Sequence, residues 1–234
     1  MTKIQKIIES SREIPKSLLT FDKYTFAASL GLEDIRFLNI NDTLQSDTGI
    51  NPYISANGEV LVFPNYLFGE LVSVFVKPLR NKKSFLKLGN FDIPMYLSNI
   101  QDIKYGDFLY LVEGIADYIS IKLLCGPNIN VIPMMSSSLS DKQLKLVSSL
   151  TNNIVIISDN DEAGRISYFK MRKELVKYGV TLKQIKPPKE YKDAGDVLDI
   201  VKSYKEGNLE NKSEIEYLKS YYRTSIEVIE EQKL

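Results

Sequence analysis

Two aspartates, Asp159 and Asp161, stand one residue apart, directly after an apolar run from Ile154 to Ile157. Carboxylates so close repel one another unless a cation lies between them. Glu113 ends a second apolar run, Leu109 to Val112, and Asp117 follows four residues later. On a helix that spacing turns both side chains toward one end. A third acidic group, Lys192-Asp193-Ala194-Gly195-Asp196, comes after Pro187-Pro188. The chain has no histidine and one cysteine, Cys125, which excludes zinc ribbons, disulfide frameworks and every histidine-dependent mechanism. Carboxylates, Lys/Arg, hydroxyls and metal ions remain. With oxygen ligands alone, the matching cation is hard, Mg2+ or Mn2+.

Each acidic residue also has a plainer reading. Asp193 suits a helix N-cap, and Asp117 suits a solvated helix position. Glu113 has no structural motive between Val112 and Gly114, and the Asp159/Asp161 pair is costly without a counter-ion.

The elements that must position these residues alternate. Asp107–Val112, Asn130–Met134, Asn153–Ser158 and Val180–Ile185 read as strands. Ile115–Leu124, a segment capped by Ser140-Asp141 and running to Leu150, Glu162–Tyr178 and Asp193–Tyr204 read as helices. Such alternation predicts βαβ units and a parallel sheet. Glu113 and Asp159 then fall at the C-terminal edges of strands, where open α/β sheets bind ligands. Gly114 is expected to permit the strand-to-helix turn.

Upstream the pattern differs. Val60–Pro64 and Leu71–Val76 predict a β-hairpin, and Ser84–Leu88 a third strand. Short helices are expected at Ile4–Ile8 and Phe26–Leu30, with Glu33–Ile40 helical or extended. A polar linker, 207–212, precedes an amphipathic helix at Ser213–Lys233, either a packing helix or a docking element for a partner. The expected division is 1–105, a smaller α+β subdomain; 106–206, the α/β domain; and 207–234, a helical tail. Charge balances at 30 basic and 30 acidic residues, so nucleic-acid affinity requires local clustering. One cluster is evident: Lys77, Arg80, Lys82, Lys83 and Lys87, with no acidic residue between Glu70 and Asp92. It reads as a solvated loop or as phosphate contacts. No apolar run approaches a membrane span and no signal-peptide core opens the chain, so a soluble protein is expected.

The three acidic groups, in order, resemble the Toprim domain of DnaG-type primases, topoisomerases and certain nucleases. Glu113-Gly114-Ile115-Ala116-Asp117 matches its glutamate motif, Asp159-Asn160-Asp161-Glu162-Ala163-Gly164-Arg165 its Asp-x-Asp motif, and Lys192 to Asp196 its last acidic motif. The flanking residues take the form typical of DnaG-type and phage primases, with Met135-Ser136-Ser137-Ser138-Leu139-Ser140 a looser counterpart of a Gly-Thr loop. Asn160 replaces a usual glycine. The resemblance covers about residues 20–204 and is carried by the motifs after 106.

It implies a Toprim-like parallel sheet flanked by helices, in a cytoplasmic protein of a bacterial or phage-infected cell. It implies short RNA primers made from ribonucleoside triphosphates on a single-stranded DNA template, with two or more Mg2+ or Mn2+ ions. Glu113, Asp159 and Asp161 would be catalytic and metal-binding, with Asp117, Asp193 and Asp196 as further metal candidates. Lys77, Arg80, Lys82, Lys83, Lys87, Ser137, Arg165 and Lys192 would meet nucleic acid or nucleotide. No zinc module precedes the core and no helicase motor follows it, so a separate template-recognition protein or a replicative helicase is an expected partner. A Toprim nuclease and a non-catalytic replication accessory protein are the alternatives. None of the tyrosines lies in a motif marking a topoisomerase nucleophile.

Overall fold

The apolar run Phe108–Val112 (β6) is buried along its whole length, so both of its faces must be covered. Helices α1 (Ile115–Cys125), α2 (Asp141–Leu150), α3 (Glu162–Val176) and α4 (Asn211–Glu231) supply that cover. The computed structural model describes residues 11–13, 53–55, 60–67, 70–78, 86–89, 92, 94, 107–126, 128–198, 200 and 211–231. The expected N-terminal helices, residues 207–210 of the expected linker and the Asp193–Tyr204 helix beyond residue 200 lie outside these residues; residues 211 and 212, expected as linker, instead open α4, which starts two residues earlier than the predicted helix. Two compact units divide the chain, Met1–Phe91 and Asp92–Leu234.

In the second unit, β6 pairs in parallel with β7 (Val131–Pro133) on one side and β8 (Asn153–Ile157) on the other; β9 (Thr181–Ile185) extends the sheet beyond β8. The order β7-β6-β8-β9 confirms the α/β fold with a four-stranded parallel sheet flanked by helices. Side chains alternate along each strand. Leu109, Leu111, Ile154, Ile156 and Leu182 form one core with Leu144 and Val147 of α2 and Met171 and Leu175 of α3. The opposite face carries α1 and α4. Helix α4 buries Ile215, Leu218, Tyr222 and Ile229, and donors from the rest of the unit reach its C-terminal half: the Tyr110 hydroxyl donates to Glu230 at 2.8 Å and Lys183 to the Ile229 carbonyl at 2.8 Å. The terminal helix thus packs as part of the unit.

The first unit holds an antiparallel sheet ordered β1 to β5: Ser11–Glu13, Tyr53–Ser55, Val60–Leu67, Glu70–Pro78 and Leu86–Gly89. The expected hairpin is β3–β4, pinned by the registered pair Phe63 and Phe75, whose ring centroids lie 6.3 Å apart. A register shift at Asn65/Tyr66 accompanies a buried bond from Asn65 Nδ2 to Ser73 Oγ, 3.0 Å. The two three-residue strands β1 and β2 add to the hairpin sheet without having shown any alternation in the sequence.

Candidate active site

The strand order reverses at β6. The chain leaves β6 through α1 to β7 on one side, while β8 lies on the other, so the edge between β6 and β8 is a topological switch point. Val112 and Ile157, the last residues of the two strands, are register partners. Glu113 directly after β6, and Asp159 two residues after β8, therefore leave the sheet at the same edge.

The turn at Glu113 is built differently from the expectation. Gly114 has φ −128° and ψ 179°, ordinary extended backbone, and an added Cβ there would meet its nearest neighbour at 3.5 Å. Its glycine is not what makes the turn. Met135 carries the unusual conformation instead, with φ 57°, and its N–H donates to the Glu113 carbonyl at 2.9 Å. A strained residue just beyond β7 thus fixes the backbone of the glutamate.

Asp117 is 9% exposed and accepts from two backbone donors, Gly114 N–H at 3.0 Å and Gly195 N–H at 2.8 Å. It joins the glutamate motif to the last acidic motif, 78 residues away. Asp193 caps the 3-10 turn Ala194–Asp196 by accepting from Asp196 N–H at 3.0 Å, and Asp196 accepts from Lys192 N–H at 2.9 Å. Asp161 caps α3, its Oδ1 accepting from Gly164 N–H at 2.8 Å. Backbone donors therefore engage Asp117, Asp161, Asp193 and Asp196.

Two glycines set how closely these pieces approach. A Cβ at Gly164 would lie 2.4 Å from the Asp159 carbonyl oxygen, so α3 can start this near β8 only with glycine there. At Gly195 an added Cβ would come within 3.0 Å of both Ala116 Cβ and Asp193 Oδ1.

Asn160 fastens the remaining side. Its Nδ2 donates to the carbonyls of Pro187, Pro188 and Tyr191 at 3.0, 3.1 and 2.8 Å, and its backbone N–H donates to the Lys192 carbonyl at 2.7 Å. Asn160 thus fastens the loop after β9. Beneath it, Gln184 Nε2 donates to the buried Ser158 Oγ at 2.7 Å.

The gathered charge is visible in the acidities. Asp159 is pushed up to about 7, first by burial and then by Asp117, Glu113 and Asp193. Burial and then Asp161 raise Glu113; burial and then Asp196 raise Asp193. Asp117 rises to about 6, by burial and by Asp193, against the lowering effect of its two N–H donors. Lys192 Nζ lies 3.9 Å from Asp159 Oδ2 and 3.6 Å from Asp161 Oδ2. Partial burial lowers the lysine pKa, but Asp159, Asp161 and Asp193 outweigh it and leave the value raised. An ammonium standing between two carboxylates is where a hard cation would be expected, and the donors are oxygens. Among the described residues, however, no three acidic side chains are already drawn together as a finished metal cluster.

The other sequence candidates lie apart. Arg165 pairs with Glu162 one turn along α3 and leans on the Phe169 ring, 5.8 Å from its centroid, rather than on the aspartates. Ser137 is exposed, and its carbonyl accepts from the Ser167 hydroxyl. Lys77 sits in β4 opposite Leu61, and Lys87, its pKa lowered by burial, sits in β5 opposite Phe75. Arg80, Lys82 and Lys83 lie outside the described residues. Cys125 is half-buried, with burial pushing its thiol up to about 12.

A four-stranded parallel sheet with carboxylates at its switch point is the Toprim architecture, and residues 110–198 match the Toprim_2 family model, described as Toprim-like. Solved primase catalytic cores share this fold. The E. coli primase catalytic core aligns with TM-score 0.52 and 18% identity over 83% of this chain and 72% of that one. The RNA polymerase domain of Mycobacterium tuberculosis DnaG aligns with TM-score 0.56 and 14% identity over 78% and 74%. A DnaG catalytic domain bound to single-stranded DNA gives 0.53 and 17% over 88% and 79%. The uncharacterized MG010 homolog of Mycoplasma pneumoniae is 31% identical over 91 residues, 38% of this chain; the match spans 42% of that relative.

Proposed function

We propose that this chain is a primase-like nucleotidyltransferase that makes short RNA primers on single-stranded DNA. The observation that carries the reading is the switch-point crevice, where Glu113 and Asp159 leave paired strands beside Asp161 on a primase-type fold. Asp159, Asp161 and Glu113 would hold Mg2+ or Mn2+, which supplies charge neutralisation at the reacting phosphate and a more acidic attacking hydroxyl. The raised pKa values of Glu113, Asp159 and Asp193 support a cation requirement, since each carboxylate is ionised at a cost.

In the reaction the primer 3′-oxygen bonds to the α-phosphorus of a ribonucleoside triphosphate, the bond to the β-phosphate oxygen breaks, and pyrophosphate leaves. Lys192, 63% exposed, can turn from the aspartates to the triphosphate oxygens as the nucleotide arrives. Glu113 is half-buried with its backbone fixed, suiting it to hold charge or to take the hydroxyl proton. Lys77 and Lys87, with the residues between them, are proposed contacts for the template backbone.

The test supplies single-stranded DNA, ribonucleotides and Mg2+ or Mn2+, with Asp159→Asn and Glu113→Gln as controls. Short RNA products lost in both variants support the proposal. Cleavage of the DNA, or binding with neither product, overturns it in favour of a nuclease or an accessory protein.

A further inference from the structure

Helix α3 starts at the acidic site and runs away from it across the sheet. Its inward face is Gly164, Ser167, Met171 and Leu175, all buried. An amphipathic helix should be polar on the opposite side. Here Ile166, Phe169 and Val176 stand at the outward pole, 57%, 51% and 63% exposed. With Lys173 they fall at spacings of three, four and three residues, the a-d-a-d pattern of a helix-pairing seam about 15 Å long. The positions flanking that seam, e and g in the same register, are Arg165, Lys170, Arg172 and Lys177. Every one is basic.

That charge pattern selects the occupant. Two copies of α3 laid seam to seam would set like charges against each other in either orientation, so the face disfavours self-pairing. A helix with apolar a and d positions and acidic flanks would satisfy both the apolar seam and its borders. A single Lys at one a position suits a register-setting contact with an acidic group across the seam. The ion pairs already present, Arg165 with Glu162 and Lys177 with Glu174, are on the helix surface, and such pairs contribute little and exchange readily. We infer that the outer face of α3 docks an acidic amphipathic helix of a partner protein, beside but not within the acidic site.

The full chain is titrated into a labelled three-heptad peptide with Leu at a and d and Glu at e and g, followed by fluorescence anisotropy. A peptide with Lys at e and g is the control. The expected result is saturable binding of the acidic peptide alone, weakened about tenfold by Phe169→Ala and by Arg172→Glu, and by raised salt. Both substitutions are at exposed positions, so circular dichroism and melting should match the parent. No binding, or binding indifferent to both substitutions, overturns the inference. So does self-association in sedimentation that Phe169→Ala abolishes, or a Phe169→Ala loss of single-stranded DNA binding that equals the peptide loss. A maleimide reaction at Phe169→Cys no faster than at Cys125 would mean the chain already covers this face, and would overturn it as well.

Discussion

Replacing Asp159 with asparagine should stabilise the metal-free protein while removing its function. Raising a carboxyl from the usual 3.8 to about 7 corresponds to roughly 4 kcal/mol between its protonation states. Asp159 keeps some contact with water, 14% of its side chain, so about half of that is expected. The sign follows from linkage. Between pH 3.8 and 7 the unfolded chain has released the proton that the folded one still holds, so parent stability falls as pH rises through that window. Above pH 7 the full cost is present. Asp159→Asn removes it, and a gain of about 2 kcal/mol would raise the melting temperature by roughly 4–8 °C for a chain of this size. The gain should fall to less than half by pH 5. Added Mg2+ or Mn2+ should raise the parent's melting temperature more than the variant's. Melting is followed by circular dichroism from pH 5 to 8, with and without metal. A variant that melts at or below the parent at pH 8, or a gain independent of pH, would refute the repulsion argument.

Asp117→Ala should act in the opposite direction, because it strands the Gly114 and Gly195 N–H groups; a loss of about 2–4 kcal/mol in urea unfolding is expected. Gly164→Ala forces a methyl against the Asp159 carbonyl and should cost about 1–3 kcal/mol and most primer synthesis, measured by melting and by product yield. Asn160→Ala frees the carbonyls of Pro187, Pro188 and Tyr191 and should speed tryptic cleavage after Lys189 several-fold at unchanged far-ultraviolet dichroism. Lys192→Met removes the resident ammonium, and should lower metal-free stability slightly at pH 8 while making metal binding tighter in calorimetry.

The acidic motifs were legible because a carboxylate at the end of a buried strand has few structural uses, and periodicity alone placed Glu113 and Asp159 on one sheet edge. What Asp117 holds was not legible. Its i, i+4 relation to Glu113 is local, whereas its second donor, Gly195, arrives through the tertiary fold. Nothing in Met135 marks a left-handed residue, since methionine rarely adopts one and only the contact with Glu113 explains it. Gly114 misled for the complementary reason: glycine permits a turn it is not needed for here. Strands of three residues, such as Ser11–Glu13 and Tyr53–Ser55, are shorter than any alternation that could announce them. The outward apolar residues of α3 blurred its periodicity, and became informative once the buried face was known.

The Asn160 contacts bear on when disorder is removed. The main chain from Pro187 to Lys192 is anchored as the protein folds, so the entropy of ordering that loop is lost then and not at a later binding step. Only the Lys192 side chain remains free to choose between the aspartates and an incoming anion. Its tip is a cation on a short leash, and the end of that leash is set by an amide two residues before the α3 helix begins.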